Sequence, residues 1–124
     1  MRFMMLVKSA EGKGMPPQEL MEAIGKLAVE ATVAGEMIDT GGLASTAAGT
    51  RVRLQGGKIT LTDGPFTETK EVLGGFAVFE LKSKELAIER ARQFMDLHHR
   101  HWPGWEGETE IRQIFSGPEF PPDR

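Results

Sequence analysis

Two alternating runs in the middle of the chain restrict the folds that it can adopt. Polar and apolar residues alternate in Arg51–Leu54 and again in Lys58–Leu61, and Gly56-Gly57 lies between the runs. Such runs joined by a glycine pair are typical of an antiparallel hairpin. Because every second residue of a strand shares a face, we expect one face of the hairpin to point toward the core with four aliphatic side chains: Val52, Leu54, Ile59 and Leu61.

Before the hairpin, the sequence predicts a strand, a helix and a second strand. The continuous apolar run from Phe3 to Val7 is typical of a central strand. Pro16-Pro17 suits the first turn of a helix, Gly35 suits its end, and Met37 to Leu43 forms the second strand. The helix carries an apolar stripe with helical spacing: Leu20, Ile24, Leu27, Ala28 and Ala31.

After the hairpin the same order returns. Phe76 to Leu81 predicts a strand, and Ser83 is a suitable N-cap for the helix that follows. Pro103-Gly104 ends this helical region, and Glu110 to Phe115 predicts a last strand. One face of the second helix carries Ala87, Ala91, Phe94 and His98.

The order β-α-β, hairpin, β-α-β predicts an α+β fold. We expect a ferredoxin-like arrangement with an extra hairpin, in which two helices cover one face of a mostly antiparallel sheet. The other face stays open unless a second subunit covers it, which predicts a homodimer. Residues 1–124 should form a single domain, with an extended, Pro-rich tail from about residue 117.

Composition excludes several classes of function. The chain has 124 residues and a formal net charge of −3, so it lacks the basic surface of a nucleic-acid-binding protein. It has no cysteine, which excludes disulfides and thiolate chemistry. No apolar run approaches the roughly 18 residues that span a bilayer. We therefore expect a cytoplasmic protein without a membrane or nucleic-acid partner. Since glycine motifs for nucleotide phosphates are also absent, we expect no bound cofactor.

The segment Thr62–Glu71, which follows the hairpin, is rich in charge. Asp63, Glu68, Lys70 and Glu71 place four ionisable groups within nine residues. An Asp before Gly-Pro commonly starts a turn by accepting backbone N–H groups. At the mouth of a partly dehydrated cavity, the same carboxylate would instead serve as a general acid or base. Both interpretations of Asp63 stay open.

Basic and aromatic side chains near this segment are candidates for binding a substrate. Arg51 and Arg53 are two residues apart on a strand and so share a face, and a guanidinium suits a carboxylate or phosphate. Lys70 could hold an anionic group, or it could belong to an ordinary ion-paired surface loop. The full set of candidate substrate-binding residues is Arg51, Arg53, Phe66, Lys70 and Arg112.

All three histidines lie near the end of the second helix: His98, His99 and His101. His98 and His101 could share a helical face, and Glu106 or Glu108 could add a carboxylate to form a metal site. The spacing matches no established metal signature, so we predict no metal site. His98 instead continues the apolar stripe as a core or cavity residue.

The stretch Asp63-Gly64-Pro65-Phe66 resembles the DGPF group of the YCII-related family. The similarity spans nearly the whole chain. Its longest stretch, the ten residues Thr62–Glu71, is far more specific than a four-residue motif. The similarity includes Met1-Arg2-Phe3-Met4, Val52-Arg53, Thr62–Phe66 with Glu68–Glu71, Gly74-Gly75-Phe76 and Glu110-Ile111-Arg112.

The resemblance implies a dimeric α/β-barrel, in which two ferredoxin-like subunits bring their sheets face to face around a cavity. This architecture hosts cofactor-independent isomerases, lyases and monooxygenases. Some members of the family lie beside, or are fused to, extracytoplasmic-function sigma factors, which implies a regulatory or accessory role.

The resemblance also implies a role for Asp63, because better-known members pair an Asp at this position with a His on the first helix. This chain has no histidine between Pro16 and Gly35. Only Asp63 carries over, and a pairing of His98 with Asp63 across the cavity would replace the missing histidine.

Three functions remain open at this level. The first is a cofactor-free enzyme that uses Asp63, with His98, for acid/base chemistry on a small anionic metabolite. The second is a non-catalytic ligand-binding or regulatory accessory module. The third is a structural dimer in which the Asp-Gly-Pro-Phe stretch only supports the fold.

Overall fold

The computed structural model describes residues 1–115. The predicted Pro-rich tail from about residue 117 lies outside this part of the chain. Within residues 1–115, six strands and two α-helices follow one another in the order β1 Arg2–Ser9, α1 Gln18–Val33, β2 Met37–Gly42, β3 Thr50–Gln55, β4 Lys58–Asp63, β5 Val72–Glu80, α2 Lys84–His101 and β6 Glu108–Ile114.

Four strands form the main sheet in the order β2-β5-β1-β6, and β3 and β4 form a separate two-stranded sheet. All pairings in both sheets are antiparallel. The central strand β1 pairs with β5 on one side and β6 on the other. The α+β, ferredoxin-like arrangement predicted from the sequence is thereby confirmed. No helix within residues 1–115 has the length and apolar character needed to cross a bilayer.

Both helices lie on one face of the main sheet, and the core forms between these two layers. Phe3 and Met5 of β1 and Phe79 of β5 pack against Ala87 and Ala91 of α2. Side chains alternate between the two faces of a strand, so Phe3, Met5 and Phe79 face the helices and the residues between them point to the opposite face. The core therefore holds the sheet and α2 together as a platform for the loops.

The ends of the helices agree with the sequence signals. The Ser83 side chain accepts a hydrogen bond of 3.1 Å from the Leu86 N–H, which satisfies one of the unpaired donors of the first turn. Gly35 follows α1 with a φ of +76°, a left-handed conformation that glycine adopts at little cost.

The sheet face opposite the helices has an apolar centre. The strand register places Met4 and Leu6 of β1 beside Val78 and Phe76 of β5. All four side chains are half-buried, and both helices of residues 1–115 lie on the other side of the sheet. This open face is the surface that a second subunit is predicted to cover.

The prediction that the apolar face of the β3–β4 hairpin points into the core is wrong for a single chain. Val52, Leu54, Ile59 and Leu61 are 68–73% exposed. The alternating pattern places these side chains on one face, as predicted, but within residues 1–115 β3 and β4 pair only with each other. The ribbon does not join the main sheet, and no element of the described part of the chain covers that face.

The predicted loop from Ser45 to Gly49 also differs from the structure, since it contains a short 3-10 helix at Thr46–Ala48. The Ala48 and Gly49 N–H groups donate to the Ser45 and Thr46 carbonyl oxygens. This turn matters because the segment after β4 folds back onto it.

Candidate functional site

The charged segment starts at the pair of residues that closes the hairpin. Thr50 and Asp63 lie opposite each other at the open end of β3 and β4. The Thr50 hydroxyl donates a 2.9 Å hydrogen bond to Asp63 Oδ1, and the Gly64 N–H donates a 2.9 Å bond to the Gly49 carbonyl oxygen. Asp63 remains exposed to solvent. This contact differs from the predicted turn role, in which the carboxylate would accept backbone N–H groups from the residues after it. The Gly64 N–H donates to Gly49 and the Phe66 N–H donates to Thr46, and the carboxylate accepts from the Thr50 side chain across the hairpin.

Beyond the Gly64–Pro65 peptide bond, which is cis, the segment is anchored through Thr46. The Phe66 N–H donates a 3.1 Å hydrogen bond to the Thr46 hydroxyl oxygen. The Glu11 carboxylate in turn accepts bonds from the Thr46 hydroxyl and N–H, the latter over 2.7 Å. These two bonds hold the pKa of Glu11 below its ordinary value. The Glu11 carboxylate, which follows β1, therefore positions Thr46, and Thr46 in turn accepts the hydrogen bond from the Phe66 N–H.

Arg51 is the main side chain that holds the segment in place. Its guanidinium lies 3.8 Å from the centre of the Phe66 ring, which permits a cation–π interaction. The same group forms an ion pair with Glu68 and donates a 3.0 Å hydrogen bond to the Thr69 hydroxyl. The hydrogen bond from Arg51 lowers the pKa of Glu68. Two predicted substrate-binding residues, Arg51 and Phe66, are thus in direct contact and line one side of a 340 Å³ cavity.

Asp63 and the arginines of β3 lie on opposite faces of the hairpin. The register pairs Thr50 with Asp63 and Val52 with Leu61, and these residues share one face by alternation. Arg51 and Arg53 share the other face, as predicted, and Arg53 Nη1 lies 3.5 Å from Gln55 Oε1. A single chain therefore does not bring Asp63 together with either arginine. It places Asp63 at the end of the exposed aliphatic face.

The two other predicted anion-binding residues lie in different places. Lys70 is exposed in the segment and forms no ion pair with any residue within 1–115. Arg112 lies on the open face of the sheet, next to Met4 by register, and pairs with Glu110. Glu110 also pairs with Lys8, and the hydrogen bonds from Lys8 and then Arg112 lower its pKa.

His98 is a buried part of the helical layer. It is 6% exposed, and its Nδ1 lies 3.0 Å from the Phe94 carbonyl oxygen. Its ring centroid lies 4.3 Å from that of Trp105, and burial lowers its pKa. These contacts match the prediction that His98 continues the apolar stripe. Since Asp63 contacts Thr50 on the hairpin, the structure does not bring Asp63 and His98 together within one chain.

The other histidines do not join His98 in a ligand cluster. His101 Nδ1 lies 3.9 Å from Glu19 Oε2 on α1, whereas His98 points toward Phe94 and Trp105. Within the described part of the chain, no group of three or more His, Cys, Asp or Glu side chains has an arrangement that could hold a metal ion.

Most of the chain, including the charged segment, matches the model of a known domain family. The family model of the YCII-related domain matches residues 1–95. The chain belongs to the YCII-related family. The matched range contains Asp63, the hairpin and the charged segment, whereas His98 and Arg112 lie beyond it. No curated protein shows significant similarity to the sequence.

Some residues that build this YCII-related site carried no clear signal in the sequence. Glu11 lies 35 residues before Thr46 and contacts it twice, and neither residue belongs to a recognisable motif. Thr50 could have been suggested as a partner of Asp63, because extending the hairpin register outward from Gly56-Gly57 places the two residues opposite each other.

Proposed function

We propose that this YCII-related protein is a cofactor-independent enzyme that acts as a homodimer on a small anionic metabolite, with Asp63 as its general acid or base. Within the family, we assign it to the DGPF group on the basis of Asp63-Gly64-Pro65-Phe66. A cytoplasmic location remains part of this proposal. The observation that carries the proposal is the position of Asp63 on the same hairpin face as four exposed aliphatic side chains.

An exposed aliphatic face of this kind favours association. Fully burying a side chain such as Leu54 or Ile59 is worth about 2 kcal/mol, and the open face of the main sheet adds Leu6 and Phe76 to the apolar surface. A second copy of the chain that covers the hairpin would remove water from the surroundings of Asp63. Loss of water disfavours the charged form of a carboxylate. A carboxylate in such surroundings can exchange a proton with a bound substrate near neutral pH.

The cations in the proposed site have different roles. Arg51 is already held by Glu68, Thr69 and the Phe66 ring, so it supports the segment and the aromatic wall of the cavity. Lys70 is exposed, forms no ion pair within residues 1–115 and can attract the anionic group of a substrate, whereas Arg112 can do so only by exchanging its ion pair with Glu110. Arg53, on the opposite hairpin face, can reach a substrate only from the other side of the ribbon.

The test is a thermal-shift screen of small metabolite anions on three proteins: wild type, Asp63→Asn and Thr50→Val. Asp63→Asn removes the charge but keeps an oxygen that can accept the Thr50 hydrogen bond. Thr50→Val removes the same hydrogen bond but keeps the carboxylate. We expect an anion that stabilises the wild type and Thr50→Val by several degrees but does not stabilise Asp63→Asn.

That anion then becomes the substrate for a turnover assay, in which Asp63→Asn should be inactive and Thr50→Val active. A loss of stability in Thr50→Val alone, with the same ligand response in all three proteins, would limit Asp63 to a structural role. A folded Asp63→Asn protein with normal turnover would exclude it as the acid or base.

A second candidate function is a ligand-binding or regulatory accessory module without catalysis, linked to an extracytoplasmic-function sigma factor. The observation that favours it is the hydrogen bond from Thr50 to Asp63, which gives the carboxylate a structural task. This alternative predicts a stabilising anion without turnover, together with recovery of a sigma factor when the tagged protein is isolated from its host.

A further inference from the structure

The apolar stripe of α1 does not pack fully onto the sheet. Leu20 is completely buried, but the later residues of the stripe, Ile24, Leu27, Ala28 and Ala31, are only half-buried. A cavity of about 660 Å³ lies between them and the sheet. Leu20 near the start of the helix is fully buried and Ala31 near its end packs against the core, whereas the apolar face between them borders the cavity.

This cavity is partly open to solvent, since Met21 and Gly42 in its lining are exposed, and it is large for a small domain. Protein interiors pack with few voids larger than a water molecule, whereas sites for small molecules commonly measure about 300–1,000 Å³. The wall is predominantly aliphatic, aromatic and methionine-rich, and its main side chains are Val7, Met21, Ile24, Leu27, Met37 and Phe94. Both the volume and the lining fit a small-molecule site.

Glycines keep one wall of the cavity free of side chains. Gly42 of β2 pairs with Gly75 of β5, and both line the cavity. A Cβ atom on Gly42 would meet no atom within 4 Å, and its φ is not positive. Neither backbone conformation nor packing among residues 1–115 requires glycine at position 42. A glycine in a strand interior often marks a place where another molecule approaches the backbone.

Among the residues that line the cavity, Glu36 and Arg90 form an ion pair with each other, and the third charged residue, Glu30, is exposed to solvent. Arg90 donates through Nε and Nη2 to the carboxylate of Glu36, with contacts of 2.7–3.1 Å. These bonds lower the pKa of Glu36. A charged ligand would have to compete with this bidentate pair, and burying an unpaired charge is costly. The chemistry of the wall thus favours a ligand without charge.

We propose that the cavity between α1 and the sheet is a second binding site, which takes an uncharged, hydrocarbon-rich small molecule. It lies between the helices and the main sheet, whereas Asp63 lies at the end of the separate β3–β4 hairpin. The two sites differ in ligand chemistry, so this inference does not depend on the proposed acid/base function.

The first experiment is a fluorescence titration with N-phenyl-1-naphthylamine, a neutral apolar probe, on the full chain. Gly42→Leu adds a side chain at the cavity wall, where a Cβ atom meets no other atom within 4 Å. Gly25→Leu is the matched control, because Gly25 also has open space around it but does not line the cavity. We expect saturable binding by the wild type and Gly25→Leu, and at least tenfold weaker binding by Gly42→Leu with an unchanged circular dichroism spectrum.

The second experiment locates the probe through the methionine methyl groups. The chain has seven methionines, of which Met5, Met21 and Met37 line the cavity, whereas Met1 and Met15 do not. Methyl NMR with labelled methionine should show shifts at the three lining residues on addition of the probe, and none at Met1 and Met15.

Three outcomes would overturn the proposal. The wild type could fail to bind the probe, or Gly42→Leu could bind it as tightly as the wild type, which would place the probe elsewhere, for example on the exposed hairpin. Binding that weakens as the protein concentration rises would assign the cavity to a second copy of the chain.

Discussion

Gly64 lies against the carbonyl oxygen of Thr46, so that a Cβ atom at position 64 would come within 1.6 Å of that oxygen. The contact forms where the segment after β4 crosses the short 3-10 helix. It explains why the Asp-Gly-Pro-Phe stretch needs glycine at its second position, since any other residue would push two parts of the backbone apart. The close approach, and not a special φ, imposes the requirement.

Gly64→Ala should therefore be strongly destabilising. Overpacking of backbone against backbone typically costs about 1–3 kcal/mol or more, and we expect a loss at the upper end of that range in urea unfolding. Gly25→Ala is the control, since Gly25 lies in α1 with open space around it, and alanine should stabilise the helix by up to about 1 kcal/mol. A Gly64→Ala protein as stable as the wild type would contradict the described contact between Gly64 and Thr46.

Arg51→Lys should loosen the charged segment although it conserves the charge. A lysine cannot reproduce both the planar contact with the Phe66 ring and the paired bonds to Glu68 and Thr69. We expect faster hydrogen exchange and faster proteolysis within residues 64–72, with the main sheet unaffected. Arg53→Lys is the matched control on the same strand, because the hydrogen bonding of the Arg53 side chain within residues 1–115 is limited to the long contact with Gln55. If residues 64–72 exchange hydrogen and are cleaved at equal rates in both variants, Arg51 does not anchor the segment.

The stability of the protein should fall on mild acidification because of His98. Burial lowers the pKa of His98 in the folded state below the ordinary 6.5. Between these two pKa values, His98 is protonated in the unfolded chain and neutral in the folded chain. The contribution of neutral, buried His98 to the free energy of unfolding is complete above pH 6.5. It is lost as the pH falls from 6.5 through the folded-state pKa. His98→Gln should reduce the drop in stability between pH 7.5 and about pH 5.5, and exposed His99→Gln should not. The measurement is denaturant unfolding of the three proteins at both pH values.

The main elements of the fold follow from local sequence patterns. Apolar runs, glycine pairs and the Ser83 cap identify strands and helices, because each pattern reflects backbone geometry and burial within a few neighbouring residues. The burial of His98 follows in the same way, since this residue occupies a position on the apolar stripe of α2 where the helical period predicts burial.

The candidate site is less predictable, because its contacts join distant parts of the chain. Alternation places Asp63 and Val52 on one hairpin face but cannot show that this face stays exposed, which depends on how β3 and β4 attach to the main sheet. The contact of Glu11 with Thr46 spans 35 residues and has no local signature. The cavity beneath α1 is a further example, since an apolar stripe indicates the face that turns inward but not how closely it packs.

The last prediction concerns the association of two chains through the hairpin. We expect light scattering to show wild type at twice the mass of the chain at micromolar concentration. Leu54→Glu places a charge on the exposed aliphatic face and should weaken the dimer at least about tenfold, since the burial of one leucine is worth about 2 kcal/mol. Thr60→Glu adds the same charge on the opposite face, beside Arg53 by register, and should leave the dimer intact. A monomeric wild type, or equal dissociation of both variants, would remove the second copy from the surroundings of Asp63 and with it the proposed acid/base site.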